Sequence, residues 1–263
     1  MTSTLLRKPT DTEGMIHRIR PETAGWTYVG FDVHLIAPGE SATSPTGGRE
    51  HCLVFVSGRG EVIVDGQNLG EMGRRESPFD GSPAAVYVPL RSSWRVRAIT
   101  PVELAVCSAP GGGNHAPRIV VPDPQFARGT GTNTRHVTNI LPETAEAHSL
   151  LVVEVITPAG NTSSYPPHKH DADNLPHESQ LEETYYHRLN PAQGFAFQRV
   201  YTDDRRLDET MAVEDRDVVL VPRGYHPCQA IHGYDLYYLN VMAGPVRTWK
   251  FHNDPAHEWL YRS

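Results

Sequence analysis

The chain has 263 residues, with 24 Lys+Arg against 31 Asp+Glu and a formal charge of −7, and no basic stripe runs along it, which argues against a nucleic-acid partner. No apolar run approaches the roughly 18 residues that a spanning helix needs, and MTSTLLRKPTD carries no secretory apolar core, so neither a membrane partner nor export is expected. Three scattered cysteines, Cys52, Cys107 and Cys228, form no CxxC pair and no disulfide framework, which fits a reducing cytoplasm.

In chain order, His51 to Val56 and Glu61 to Asp65 are short β-branched or aromatic runs separated by the turns SGRG and VDGQ, the signature of strands and hairpins. From Ala109 to Thr134 the stretches APGGGNHAP and ARGTGTN flank VPDPQ, and this segment is expected to connect two lobes with little regular structure. Pro142 followed by ETAEAH predicts a brief helix near Glu143 to His148. Strands are then predicted at Leu150 to Ile156, Phe195 to Tyr201, Asp217 to Val221 and Leu236 to Met242. SGRGEVIVDG followed by AVYVPLRSSW in the first half parallels NPAQGFAFQRVY followed by VVLVPRGYH in the second. In both, a glycine-turn strand pair precedes a strand ending in Val-Pro and a polar turn, so a duplicated β-barrel is expected.

The histidines crowd into the second half, and the string SYPPHKHD holds the first two of interest. In extended backbone the two-residue period puts His168 and His170 on one face and turns Lys169 away. Glu182 and Glu183 open EETYYH, whose Thr and Tyr content predicts a strand, so only one of the two carboxylates can point inward. His226 follows in VPRGYHP, at a turn just after an apolar strand. Three neutral imidazoles with one carboxylate suit a divalent ion, zinc first, with Fe, Mn, Co or Ni also possible; no nucleotide or organic cofactor is expected.

This HxH, Glu and Pro-x-Gly-to-His order resembles the motifs of the cupin superfamily, with a longer gap between His170 and Glu183 and a shorter one between Gly224 and His226 than cupins usually show. Both departures, and the strings PPHKHDADNLPHESQLEETYYHRLNPAQGFAFQRVYTDD, MAVEDRDVVLVPRGYHP and LYYLNVMAGPVRTWKFHNDPAHEWL, are similar to the 5-deoxy-glucuronate isomerase family of myo-inositol catabolism. That family is akin to the uronate ketol-isomerases of pectin breakdown. The resemblance implies an all-β bicupin of two jelly-roll type lobes: 1–115 without metal ligands, since GGREHC offers only His51 and VPLRSSW no histidine, and 116–263 catalytic. It selects Glu183 over Glu182 beside His168, His170 and His226 at the metal.

The activity implied is conversion of the aldehyde acid 5-deoxy-D-glucuronate into the ketose 2-deoxy-5-keto-D-gluconate, through an enediolate stabilised by the metal and a proton moved between adjacent carbons. Glu183, Tyr185, which shares its strand face, and Tyr238 are the catalytic candidates, with Glu178 a further candidate base at the substrate. The substrate carboxylate calls for a guanidinium, for which Arg135 and Arg199 are candidates. DADNLPHESQL is expected to form a polar loop near the barrel mouth. A homo-oligomer is expected, with the ligand-free lobe serving assembly. The same residues leave open a cupin Fe(II) dioxygenase, which O₂ dependence would reveal, and a non-catalytic sugar-acid-binding cupin, which would bind a uronate without converting it.

Overall fold

The computed structural model describes residues 3–261, and the chain divides into two compact units. One holds Pro9–Pro124 and Thr138–Val153; the other holds Gln125–Val137, Glu154 onward and the first residues of the chain up to Lys8. The division falls inside the strands Arg135–Leu141 and Leu151–Thr157.

The first-half unit has two antiparallel layers. A six-stranded sheet runs in the order Arg118–Val120, Ala84–Val88, Arg49–Ser57, Val102–Pro110, Gly30–Ile36, Gly14–Ile19, and a four-stranded sheet in the order Ser41–Pro45, Ser93–Ala98, Gly60–Val64, Gln67–Met72. In Ser93–Ala98, exposed and buried residues alternate strictly, the pattern of a strand with one face on a core and one in water. Leu53, Phe55, Val62, Val64, Val86, Trp94, Val96 and Leu104 fill the space between the layers. His51 is buried there, and its Nδ1 accepts the Trp94 indole N–H at 3.0 Å. Burial, then the charges of Arg49 and Arg20, pushes its pKa down to about 4, so it sits in the core as a neutral ring.

The predicted helix near Glu143 to His148 does not form; the segment is a turn closed by Ala145 N–H to the carbonyl of Pro142 at 3.0 Å. Its continuation is captured by Glu50, whose carboxylate is fully buried. That group accepts the backbone N–H groups of His148, Ser149 and Leu150 at 2.9, 2.7 and 2.7 Å and the Tyr87 hydroxyl at 2.6 Å. The connection from Ala109 to Thr134 is also more regular than its composition suggests, since it contains the strands Arg118–Val120 and Phe126–Arg128 and a short 3₁₀ turn, Gly131–Asn133.

The second-half unit repeats the layered plan. Its larger sheet is ordered Leu6–Arg7, Val218–Val221, Glu182–Asn190, Asp235–Ala243, Leu151–Thr157, Arg135–Leu141, Phe126–Arg128. The smaller is ordered Thr162–Ser163, Cys228–Ala230, Phe195–Tyr201, Asp208–Glu214. DADNLPHESQL is a hairpin rather than an irregular loop, pairing Asp171–Asn174 with Glu178–Gln180. No helix among the described residues is long and apolar enough to cross a membrane.

Candidate metal centre

The strand Glu182–Asn190 lies between Val218–Val221 and Asp235–Ala243, and its period-two geometry fixes what faces the interior of its unit. Glu183, Tyr185 and His187 project from one face. Asn240 is paired with Tyr185, and Tyr238 with His187, so these two share that face. Glu182 lies on the opposite face. The short strand His168–Lys169 pairs with His252–Asn253, which sets Phe251 against the His168 ring at 4.8 Å between centroids. Lys169 turns away and binds Asp171 at 3.1 Å and Asp203 at 2.8 Å.

His226 arrives on a turn that only glycine permits. Gly224 has φ +93°, and a Cβ there would sit 2.5 Å from the carbonyl oxygen of Tyr201. The Gly224 N–H donates to Asp171 Oδ2 at 2.8 Å, which ties this turn to the start of the hairpin beside His170.

His168, His170 and His226 each offer a ring nitrogen, and these atoms lie within 4.8 Å of one another, the one such cluster among the described residues. Glu183 Oε2 stands 3.1 Å from His170 Nε2 and 3.2 Å from His226 Nε2. The tautomers follow from the outer contacts, because His170 Nδ1 lies 3.1 Å from the carbonyl of Leu181 and His226 Nδ1 lies 2.8 Å from that of Gly224. With those N–H groups donated outward, each ring directs its Nε2 toward Glu183. His226 Nε2 is buried and makes no well-aligned hydrogen bond despite its closeness to the carboxylate. Ring nitrogens and an ionised carboxylate facing one another away from water need a cation among them, a proton or a metal ion, and this donor set fits a divalent metal ion. Three nitrogens and one oxygen match a first-row ion better than a thiolate-seeking one.

At His170 burial pushes the pKa down, but hydrogen bonding to Glu183 and the charge of that carboxylate outweigh it and raise the pKa above that of a free histidine. Burial pushes the Glu183 carboxyl upward, but the His170 and His226 imidazoles outweigh it and hold the pKa below the usual carboxylate value. For His168, burial and then the neighbouring imidazoles, with smaller contributions from Arg128 and Arg135, hold the pKa far below that of a free histidine.

Next to this cluster lies a floor of hydroxyl groups. The Tyr185 and Ser164 hydroxyls are 2.9 Å apart, those of Tyr238 and Ser163 2.5 Å apart, and the two phenol rings 4.9 Å apart. Burial raises both phenol pKa values, so each keeps its proton at neutral pH. His187 and Gln198, both fully buried, were not singled out from the sequence. His187 Nε2 lies 2.9 Å from Gln198 Oε1, and Gln198 Nε2 donates to the carbonyl of His226 at 3.4 Å, bracing the turn that carries this imidazole. His187 could have been found, since it continues the Glu183, Tyr185 face by one more step of two; Gln198 is polar at an inward position of Phe195–Tyr201.

Two expected substrate contacts fall elsewhere. Arg199 is 44 % exposed at its side chain and forms a two-pronged pair with Asp208, both contacts 2.7 Å, because Gln198 and Val200 take the inward positions of that strand. Glu178 is buried, and its Oε1 closes the hairpin by accepting the N–H groups of Asp171 at 2.8 Å and Ala172 at 3.2 Å. Arg135 is buried close to the cluster, its Nη1 donating to Asn133 O at 3.0 Å and Asn133 Oδ1 at 3.2 Å.

Two jelly-roll type units, one of them carrying a three-histidine cluster closed by a glutamate, define a bicupin with a metal-binding type of site. Residues 5–260 match the KduI/IolB family, and the chain belongs to that family. It is 55 % identical over 254 residues to a 5-deoxy-glucuronate isomerase of Geobacillus kaustophilus, covering 95 % of this chain and 92 % of that protein. It superposes with TM-score 0.96 on the crystal structure of an IolB-like protein from Salmonella typhimurium, 52 % identical, over 98 % of this chain and all of the other. Oxalate decarboxylase from Lactobacillus farciminis, at 13 % identity and TM-score 0.67 over 100 % of this chain and 91 % of its own, shares the bicupin fold.

Proposed function

We propose that this chain is an intramolecular aldose-ketose isomerase of myo-inositol catabolism that converts 5-deoxy-D-glucuronate into 2-deoxy-5-keto-D-gluconate in the cytoplasm. The observation that carries the reading is the 55 % identity, across 95 % of the chain, to a relative named for this activity. The donor set supports a metal-assisted reaction, with His168, His170, Glu183 and His226 as ligands and zinc as the first choice over Fe, Mn, Co and Ni. A divalent ion held there supplies Lewis acidity to a carbonyl and its neighbouring hydroxyl.

The remaining work falls to the protein's own groups. Glu183, held ionised by two imidazoles, serves chiefly as a ligand. Tyr185 and Tyr238 keep their protons and act as donors to oxygen atoms on which negative charge develops, and Ser164 and Ser163 orient the two phenol hydroxyls. Arg135 receives the substrate carboxylate. In this reading catalysis belongs to 116–263, while 1–115, whose His51 is taken by Trp94, is a ligand-free scaffold that serves a homo-oligomer.

The test follows purified protein with 5-deoxy-D-glucuronate by NMR in D₂O. Ketose should form with deuterium at the receiving carbon. Activity should be independent of O₂, stop on chelation and return with added metal. His226→Ala should lower metal content and turnover together by at least about 100-fold. Turnover that persists after complete metal removal would overturn the metal-assisted reading, and oxygen consumption coupled to turnover would favour a dioxygenase.

A further inference from the structure

The strand Phe126–Arg128 pairs antiparallel with Arg135–Leu141, and their register sets Arg128 directly opposite Arg135. Residues opposed in this way place their side chains on the same face of a sheet, and like charges so placed destabilise the pairing. Gly129, the residue after Arg128, leaves the space that the Arg135 guanidinium occupies. It has φ +82°, and a Cβ there would sit 2.7 Å from Arg135 Nη1 and 2.2 Å from the carbonyl oxygen of Asn133, so the Arg135 guanidinium runs against the backbone beside Arg128.

The Arg128 guanidinium lies 5.4 Å from the centroid of Phe251, and Phe251 in turn lies 4.8 Å from His168. Among the described residues Arg128 forms no ion pair with a carboxylate. Other arginines of this unit do: Arg188 binds Asp215 at 2.8 Å and Arg199 binds Asp208 at 2.7 Å. In a chain of net charge −7, these two arginines, set opposite one another across the strand pair and both acting on His168, form a local positive field beside the histidine cluster.

From this placement we infer that Arg128 and Arg135 together form a clamp for the carboxylate of the substrate, with Arg128 as the second, previously unassigned arm. This rests on the sugar-acid reading above and deepens it. Arg135 is buried and anchored to Asn133, and so supplies a fixed donor. Arg128 is exposed and held only by a ring face, so it is free to close on an arriving carboxylate. Such a pair selects the acid end of the substrate and orients the aldehyde end toward His168, His170 and His226, which is discrimination by charge and geometry together. Phe251 sets the resting position of Arg128 through its ring face.

The experiment compares wild type, Arg128→Gln and Arg128→Lys. Calorimetry measures binding of D-gluconate and of the uncharged polyol sorbitol to metal-loaded protein, and steady-state kinetics uses 5-deoxy-D-glucuronate. Arg128→Gln should weaken gluconate binding about 10-fold or more, leave any sorbitol binding unchanged, and raise KM with a smaller change in kcat; Arg128→Lys should recover part of the loss. Metal content and thermal midpoint should match wild type, since Arg128 is exposed. Gluconate binding by Arg128→Gln equal to wild type, or an equal loss for gluconate and sorbitol, would overturn the clamp. Weakened gluconate binding in a protein that converts no uronate would keep the clamp and sink the isomerase.

Discussion

Tyr185 occupies the position from which the chemistry is most readily separated from the metal. Its hydroxyl meets Ser164 at 2.9 Å, and its ring lies 5.7 Å from that of His226 without contributing a ligand atom. Tyr185→Phe should therefore lower kcat by about 10- to 100-fold while metal content, read by elemental analysis, stays at the wild-type ratio. A parallel fall in metal content would assign Tyr185 to the support of the cluster instead. At this scale the sequence was informative wherever period two applied: HKH and the E-x-Y step both converge on one centre. Arg199, a candidate for the substrate carboxylate in the sequence, shares the outward face of its strand with Phe195 and Phe197, which are 41 % and 42 % exposed, and the inward positions belong to Ala196, Gln198 and Val200. Nothing local in ARGTGTN marks Arg128, because its place opposite Arg135 comes from a strand pairing that the string does not carry.

Among the elements, strands were legible because alternation is local. Phe195–Tyr201 has the predicted ends, and Asp235–Ala243 extends one residue beyond the prediction at each end. The helix expected near Glu143 failed for a non-local reason. The N–H groups of His148, Ser149 and Leu150, which a continuing helix would return to its own carbonyls, are taken by a carboxylate about one hundred positions earlier in the chain. No local pattern in ETAEAH carries that information. The consequence is a strong demand on Glu50, since its removal would strand three backbone donors and the Tyr87 hydroxyl. Glu50→Ala should cost about 3 to 5 kcal/mol in urea unfolding, and Glu50→Gln less, because the amide oxygen still accepts. A loss below about 1 kcal/mol for Glu50→Ala would mean that water or a rearranged backbone satisfies those donors.

Over the whole molecule, each unit holds a buried histidine with a strongly lowered pKa. His51 in the first-half unit and His187 in the second are both shifted down to about 4, chiefly by burial, so both are neutral when folded. An unfolded histidine titrates near 6.5, so between about pH 6.5 and about pH 4 the unfolded chain binds protons that the folded chain refuses. The penalty is absent above about pH 6.5, grows as pH falls, and levels off once the folded-state pKa has been passed. At about pH 5 each ring should cost roughly 2 kcal/mol relative to about pH 7. The metal cluster adds its own proton dependence in the second-half unit, so His51 gives the cleaner measurement. His51→Gln loses some stability at neutral pH with the Trp94 hydrogen bond, but it should show a pH 7 to pH 5 loss in urea-unfolding free energy that is smaller than wild type by about 2 kcal/mol. If that variant and the wild type lose the same amount over this interval, the ring is already charged inside the folded core, and the neutral, Trp94-bonded histidine described for this unit is wrong.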